Sequence, residues 1–488
     1  MMRTSVGDPH FTFSIAIIGG GFTGAVLAAQ LLRNSGGRVS VALIEKGTRL
    51  GRGVAYGTAC AEHLLNVRAR NMSAYPDDPG HFLRWAQANY DLRAKPDDYL
   101  PRQLYGRYVA SLLQEEIHRY PGRLEHVQDE AFSLAQIGDK AEVRLRSGKT
   151  LFAGRIVLAL GNFPPGDPRL SGMTVDSQRY VSDPWAAGAL TAVAQDKKVL
   201  LVGSGLTSVD VAITLWKQGF AGTIHTLSRR GLLPQSHRAT NAWPPFWDEK
   251  SPRTARGLLR LIRTQVEAAE TQGSGWRAVI DALRPFTQEI WRALPREEQR
   301  RFLRHARPYW EVHRHRVAPE IGSLLAAQMR NGQMETHAGR VTQYCEDGDG
   351  VDLTYRDRKT GELAALRVDR VINCTGPEVD CRRINNPLLT DLLRQKLVRP
   401  DPLFLGLDTS DYGAVIDGRD EPSDFLYAVG PSRKGSLWES TAVPEIRDQV
   451  AELATLLLSA LGLDGELVES SIRAALPFGG NTFVSRRD

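Results

Sequence analysis

The sequence predicts an α/β protein made of two Rossmann-like units with a helical insertion. Three observations carry this expectation. An apolar run, a glycine-rich turn, an Ala/Leu-rich stretch and a second apolar run follow one another near the start of the chain. The same order returns near residue 200. Between residues 250 and 330 the apolar spacing becomes helical and arginine becomes frequent.

The first unit opens with the strand-length apolar run 13–18 and the turn Gly19, Gly20, Gly21, Phe22, Thr23, Gly24. In a G-x-G-x-x-G turn the first glycine allows the tight exit from the strand. The second lets the backbone approach a pyrophosphate, and the third lets the helix pack close. Residues 25–32 read as the helix, whose N-terminus offers free N–H groups to phosphates. A second strand, 39–44, ends at Glu45 and Lys46. Glu45 suits the free hydroxyls of an adenosine ribose, so this unit reads as a site for FAD or NAD.

The second unit repeats the plan with the run 198–202 and the turn Gly203, Ser204, Gly205, Leu206, Thr207, Ser208. A helix over 209–217 and a strand over 222–227 follow, and the strand ends in Ser228, Arg229 and Arg230. Gly19 to Glu45 spans 26 positions, and so does Gly203 to Arg229. A carboxylate therefore stands in one unit where a guanidinium stands in the other. Guanidinium matches a 2′-phosphate, so the second unit reads as an NADP site. Two further apolar runs, one ending at Gly161 and one at Thr375-Gly376, read as strands beside these units.

Composition narrows the function. The chain has 488 residues, 42% apolar and 24% charged, which suits a soluble globular protein of two or three domains. Its net charge of +6 comes from 62 basic residues spread among 56 acidic ones, without a nucleic-acid-binding motif. No apolar run reaches the length of a membrane span. Cys60, Cys345, Cys374 and Cys381 form no CxxC pair and no zinc spacing, which argues against a dithiol redox centre. The expected setting is the cytoplasm, without nucleic-acid or membrane partners. Oligomeric state is left open.

Several stretches carry a family resemblance. They include residues 51–56, 63–67, 101–106, 227–234, 312–316 and 438–447. With the two glycine units and the strands ending at Gly161 and Gly376, they resemble the two-domain FAD/NAD(P)H flavoproteins. That group contains disulfide reductases, flavin-containing and Baeyer–Villiger monooxygenases and amine N-hydroxylases. More narrowly, the stretches resemble a bacterial family of FAD/NAD(P)-binding proteins. The chain departs from disulfide reductases in having no CxxxxC or CxxC. It departs from the first two monooxygenase groups in lacking their histidine near Phe163, and Pro431 stands where many flavoproteins carry an aspartate after the last flavin strand.

The resemblance implies an FAD-binding domain over 10–165 and 371–488 and an NADP-binding domain over 190–370, with a helical insertion at 250–330. It implies NADPH and FAD as cofactors, hydride transfer to flavin, then O2 activation and oxygenation of a small substrate. Two alternatives stay open: a reductase that hands electrons to a separate acceptor, and a flavin-binding sensor of low turnover. Gly53 and Asn66, in the glycine- and arginine-rich stretch after Glu45, are expected to wrap the flavin, with Asn66 near its reactive face. Gly430 and Trp438 are expected beside the flavin, ahead of a helix starting near 442. His313 and Arg316, within the dense run 307–316, are the candidates for substrate or nicotinamide contact. His313 and His315, two apart, fall on different faces of a helix, no nearby carboxylate–histidine set completes a metal site, and no metal is expected.

Overall fold

A computed structural model describes residues 12–168 and 177–463 of the chain. Residues 10, 11 and 464–488 of the expected FAD-binding parts lie outside the described residues.

The chain opens with β1 (Thr12–Ile18), α1 (Phe22–Asn34) and β2 (Val41–Ile44). Then come α2 (Gly53–Tyr56), α3 (His81–Asn89) and α4 (Arg102–Arg119), and the strands β3 (Leu124–Val127), β4 (Ala131–Ile137), β5 (Lys140–Leu145) and β6 (Thr150–Leu158). β2 is shorter than the expected 39–44. Ser40 is turned to β1, its carbonyl accepting from the amides of Ser14 and Ile15, before regular pairing begins. α1 is longer than 25–32, because the turn residues Phe22 to Gly24 are already helical with Gly21 as N-cap.

The second unit comprises β7 (Tyr180–Val181), β8 (Lys198–Val202), α5 (Leu206–Lys217) and β9 (Thr223–Ser228). Six helices follow: α6 (Ala255–Thr271), α7 (Gly275–Leu283), α8 (Thr287–Ala293), α9 (Arg296–His305), α10 (Arg307–Arg314) and α11 (Pro319–Arg330). The chain then re-enters the sheet as β10 (Met334–Glu346), β11 (Val351–Asp357), β12 (Leu363–Val368) and β13 (Arg370–Asn373). It closes with α12 (Pro387–Arg394), β14 (Ala414–Ile416), β15 (Pro422–Ala428), α13 (Lys434–Leu437) and α14 (Val443–Ala460).

Among the described residues there are two sheets. The first has the order β14-β15-β6-β1-β2-β3, with β5 and β4 added beside β6. The second has the order β12-β11-β10-β9-β8-β13-β7. β1 lies between β2 and β6, and β8 between β9 and β13, all in parallel register. Strand order therefore reverses at β1 and again at β8. Such switch points open a crevice at the carboxyl ends of the strands, where open α/β sheets bind ligands. Both glycine turns leave from these two strands.

Burial explains the patterning. A central parallel strand is covered on both faces and reads as a continuous apolar run, as Ile15 to Ile18 do. α1 is buried nearly all round because it packs against the sheet, α4 and α14 together. Val443, Ile446, Val450, Leu453 and Leu457 of α14 share one core with Val26, Leu27 and Leu31 of α1. No helix among the described residues is long and apolar enough to cross a membrane.

Candidate active site

Both glycine turns have the same geometry. Gly19 stands at φ +110° and Gly203 at φ +116°, in the left-handed region that favours glycine. A Cβ on Gly19 would overlap the Ala159 carbonyl after β6, and one on Gly203 would overlap that of Cys374 after β13. The neighbouring strands, ending toward Gly161 and Gly376, thus hold each turn closed from behind.

The turns stay open in front. α1 and α5 have the glycine N-caps Gly21 and Gly205, neither with a capping side chain. A Cβ on Gly205 would meet nothing within 4 Å, and one on Gly21 only the Gly53 backbone at 3.5 Å. The first N–H groups of each helix are thus exposed to space that a phosphate fits. Glu45 accepts from the amides of Gly20 at 2.8 Å and Gly47 at 2.9 Å. These bonds fix its carboxylate and leave lone pairs for ribose hydroxyls. Lys46 beside it is exposed.

In the second unit Ser228 Oγ lies 2.7 Å from Ser204 Oγ and accepts from the Gly231 amide, closing the loop after β9. Arg229 is exposed and has no partner among the described residues. Arg230 is engaged: it donates to the Tyr309 hydroxyl at 2.9 Å and lies over that ring at 4.7 Å. Of the two arginines expected at a 2′-phosphate, only Arg229 is unpaired.

A cavity of about 280 Å³ lies between the two units. The loop after β2 supplies Tyr56, His63, Asn66 and Met72, and the segment after β6 supplies Asn162 to Pro165. Leu206 and Thr207 come from the N-terminus of α5, and Gly376 from the end of β13. Thr441, Ala442 and Val443 bring the N-terminus of α14, and His315 comes from the helical insertion. α14 likewise has no capping side chain, so its N-terminal field reaches the cavity.

Residues 16–163 match the model of the FAD-NAD(P)-binding family. No curated protein matches the chain. Among solved structures it is similar to L-lysine 6-monooxygenase from Pseudomonas syringae, at 15% identity and a TM-score of 0.62, over 92% of this chain and 100% of that one. It is also similar to the cadaverine monooxygenase of desferrioxamine biosynthesis from Erwinia amylovora, at 12% identity and a TM-score of 0.62, over 98% and 100%. Thioredoxin reductase from Lactococcus lactis matches at 12% identity and a TM-score of 0.53, over 92% and 99%. At such identities these likenesses establish the fold: a two-unit dinucleotide-binding architecture.

The FAD-NAD(P)-binding unit is tied to the second unit by polar contacts at the cavity wall. Arg102, at the start of α4, donates to Asp210 of α5 at 2.6 Å and to the Leu64 carbonyl at 2.9 Å. Nδ1 of His63 lies 2.8 Å from Thr58 Oγ1, and its Nε2 lies 2.9 Å from the Asp210 carbonyl. The Asn66 carbonyl faces Nε2 of His237 at 3.1 Å, while its side-chain amide has no partner among the described residues.

Three expected positions lie off the wall. The Trp438 ring is stacked on Trp291 at 5.0 Å and edged by Phe302 at 5.2 Å, packing the insertion against α13. His313 sits on α10 with Nδ1 2.8 Å from the Tyr309 carbonyl and its ring against Trp276. Arg316 is 3% exposed and paired with Asp281 of α7. α10 ends at Arg314, and the break in helical geometry carries His315, not His313, to the cavity. The aromatic stretch 241–247 also lies off the wall. Trp243 donates to Gln265 and Trp247 to Glu289, both within the insertion. Gly430, at φ +83°, donates its amide to Gln449 of α14. Thr375 donates to Asn373 at 2.7 Å, bracing the turn before Gly376.

Sequence reasoning missed His63, Arg102 and Asp210 and preferred His313 to its neighbour His315. His315 stands 3.9 Å from Glu439, and burial outweighs that carboxylate, lowering its pKa. His237 is depressed to about 4, by burial and then by the Arg316 guanidinium. The unfolded chain takes up this proton near pH 6.5, whereas the folded protein resists it until about pH 4. The stability this residue contributes is therefore complete above about pH 6.5 and is lost as pH falls toward 4. Thermal midpoints measured from about pH 7.5 down to about pH 4.5 should fall less steeply in His237→Gln than in the wild type. Parallel curves would remove His237 from the account.

Proposed function

We propose that the protein is an NADPH-dependent FAD monooxygenase acting on a small substrate, with an amine as the favoured class. One observation carries the reading: the cavity is walled by both dinucleotide units and completed by His315 from the insertion. When bound, FAD supplies hydride acceptance from NADPH and oxygen activation, so no nucleophile triad is needed. This reading assigns 10–165 and 371–488 to the FAD-binding domain and 190–370 to the NADP-binding domain.

The chain's own residues divide the remaining work. Gly19, Gly21, Phe22, Thr23 and Gly24 with Glu45 hold the FAD pyrophosphate and ribose. Gly203, Gly205, Leu206, Thr207 and Ser208 with Arg229 hold NADPH. Asn66 offers a free amide, and Asp183, whose Oδ1 accepts from the Trp185 amide at 3.0 Å, offers a second oxygen to an ammonium. His315, held neutral by burial, can accept a proton. Two of the structures similar in fold are a lysine and a cadaverine monooxygenase, which supports an amine. The four cysteines are free and none lines the cavity, which disfavours disulfide reduction.

The deciding experiment is NADPH-driven O2 uptake with candidate amines. Uptake matched by hydroxylated product supports the reading. Dye reduction without oxygenated product replaces it with a reductase, and failure of NADPH to bleach the flavin replaces it with a binding protein. His315→Ala should lower substrate turnover by about a hundredfold, the scale of a lost acid–base group, with flavin content unchanged. His313→Ala should turn over like the wild type. Equal behaviour of the two variants would remove His315 from the reaction.

Flavin should be held without a covalent link. Both ring nitrogens of His63 are engaged, and no cysteine reaches the cavity. Acid precipitation should therefore release all FAD into the supernatant. Flavin retained on the peptide contradicts this.

A further inference from the structure

The second sheet carries a cluster that the proposed reaction does not use. His225 lies on β9, and Glu335 and His337 lie on β10. The parallel register pairs Glu335 with His225. His337, two residues further along β10, falls on the same face as Glu335. Nδ1 of His225 and Nε2 of His337 are 3.1 Å apart. Oε2 of Glu335 lies 3.4 Å from the first and 3.9 Å from the second. Two nitrogens and a carboxylate oxygen thus converge on one point.

We propose that His225, Glu335 and His337 form a binding site for a divalent transition metal of the zinc type, with solvent as the fourth ligand. Ligands at about 2.0–2.1 Å from a tetrahedral ion sit about 3.3 Å from one another. The three separations of 3.1, 3.4 and 3.9 Å lie around that value, so small side-chain adjustments complete the site. Two imidazoles and one carboxylate suit zinc better than calcium or magnesium, which prefer oxygen.

The surroundings agree with this assignment. Nδ1 of His337 is 3.1 Å from the Tyr355 hydroxyl on β11. A metal-bound imidazole commonly donates its other N–H to such a partner, which fixes the ring. His225 is buried, whereas the Glu335 side chain is 53% exposed and gives the ion a route from solvent. The site would clamp β9 to β10 and brace β11, three strands behind the expected NADP loop. It lies away from the cavity, and His225 stands 110 positions before Glu335 and 112 before His337, so spacing along the chain gives little sign of it.

The test uses the full chain without an affinity tag, stripped with EDTA and titrated with Zn²⁺ and Co²⁺. One equivalent of Zn²⁺ should be retained through desalting, and Co²⁺ should give the absorption of a tetrahedral complex. Retention should be lost in His337→Gln and in Glu335→Gln. Tyr355→Phe should weaken affinity about 10–100-fold, as expected for a partner of a ligand. His313→Ala should bind like the wild type. Flavin content, read alongside, shows that each variant has folded, and Glu335→Gln alters an exposed side chain that the fold tolerates. No retained metal, or equal retention in wild type, His337→Gln and Glu335→Gln, overturns the proposal and leaves a hydrogen-bonded histidine pair.

Discussion

Asp210→Ala should destabilise the folded protein by about 3 kcal/mol, the lower end of what breaking a buried ion pair costs. Asp210 is 6% exposed and Arg102 has only 17% of its side chain in solvent. Removing the carboxylate leaves a largely buried guanidinium with the Leu64 carbonyl as its remaining hydrogen-bond partner among the described residues. Water entering the cavity softens the loss, which is why the lower end is expected. The two residues belong to different units, so the pair joins them. Urea midpoints should fall for Asp210→Ala and for Arg102→Ala, and the double variant should lose less than the sum. Strict additivity would show that the two charges are independently solvated.

Arg229→Ala should weaken NADPH binding by about ten- to a hundredfold and leave NADH binding unchanged. A charge-assisted hydrogen bond is worth about 1.5–3 kcal/mol, and 1.4 kcal/mol is a factor of ten. Sequence position alone gave Arg229 and Arg230 equal standing. The structure separates them, because Arg230 already serves Tyr309 while Arg229 is free to grip a phosphate. Arg230→Ala should therefore loosen the contact between β9 and α10 and change both cofactors alike. Cofactor affinities measured by titration decide it: equal losses of NADPH and NADH in Arg229→Ala would withdraw the 2′-phosphate contact.

The glycine turns were legible because each requirement is local. A left-handed residue, a close approach and a helix start must fall within six positions, and only certain residues fit. The strands were legible because burial on both faces makes them continuous apolar runs. The cavity wall was only partly legible. Asn66, Leu206, Thr207 and Gly376 follow from their distance to the turns. His315 does not, since its place depends on α10 stopping at Arg314, one residue earlier. Arg102 and Asp210 meet across 108 positions, which no periodicity records. Trp438 was drawn to the flavin by its neighbours in sequence, yet Trp291 of the insertion claims its face. Aromatic stacking across the chain outweighed proximity along it.

The placement of α14 sets the order in which the protein can assemble during synthesis. Its apolar face completes the core around α1, more than 400 residues upstream. Every strand of the second sheet, from β7 to β13, emerges before that helix does. The second unit can therefore pair its sheet while the first still exposes Val26, Leu27 and Leu31. The entropic cost of closing so long a loop grows only slowly with its length, but the contact must wait until α14 has been made. The first unit is thus begun before the second and completed only after it, when α14 arrives as the keystone that ends its exposure.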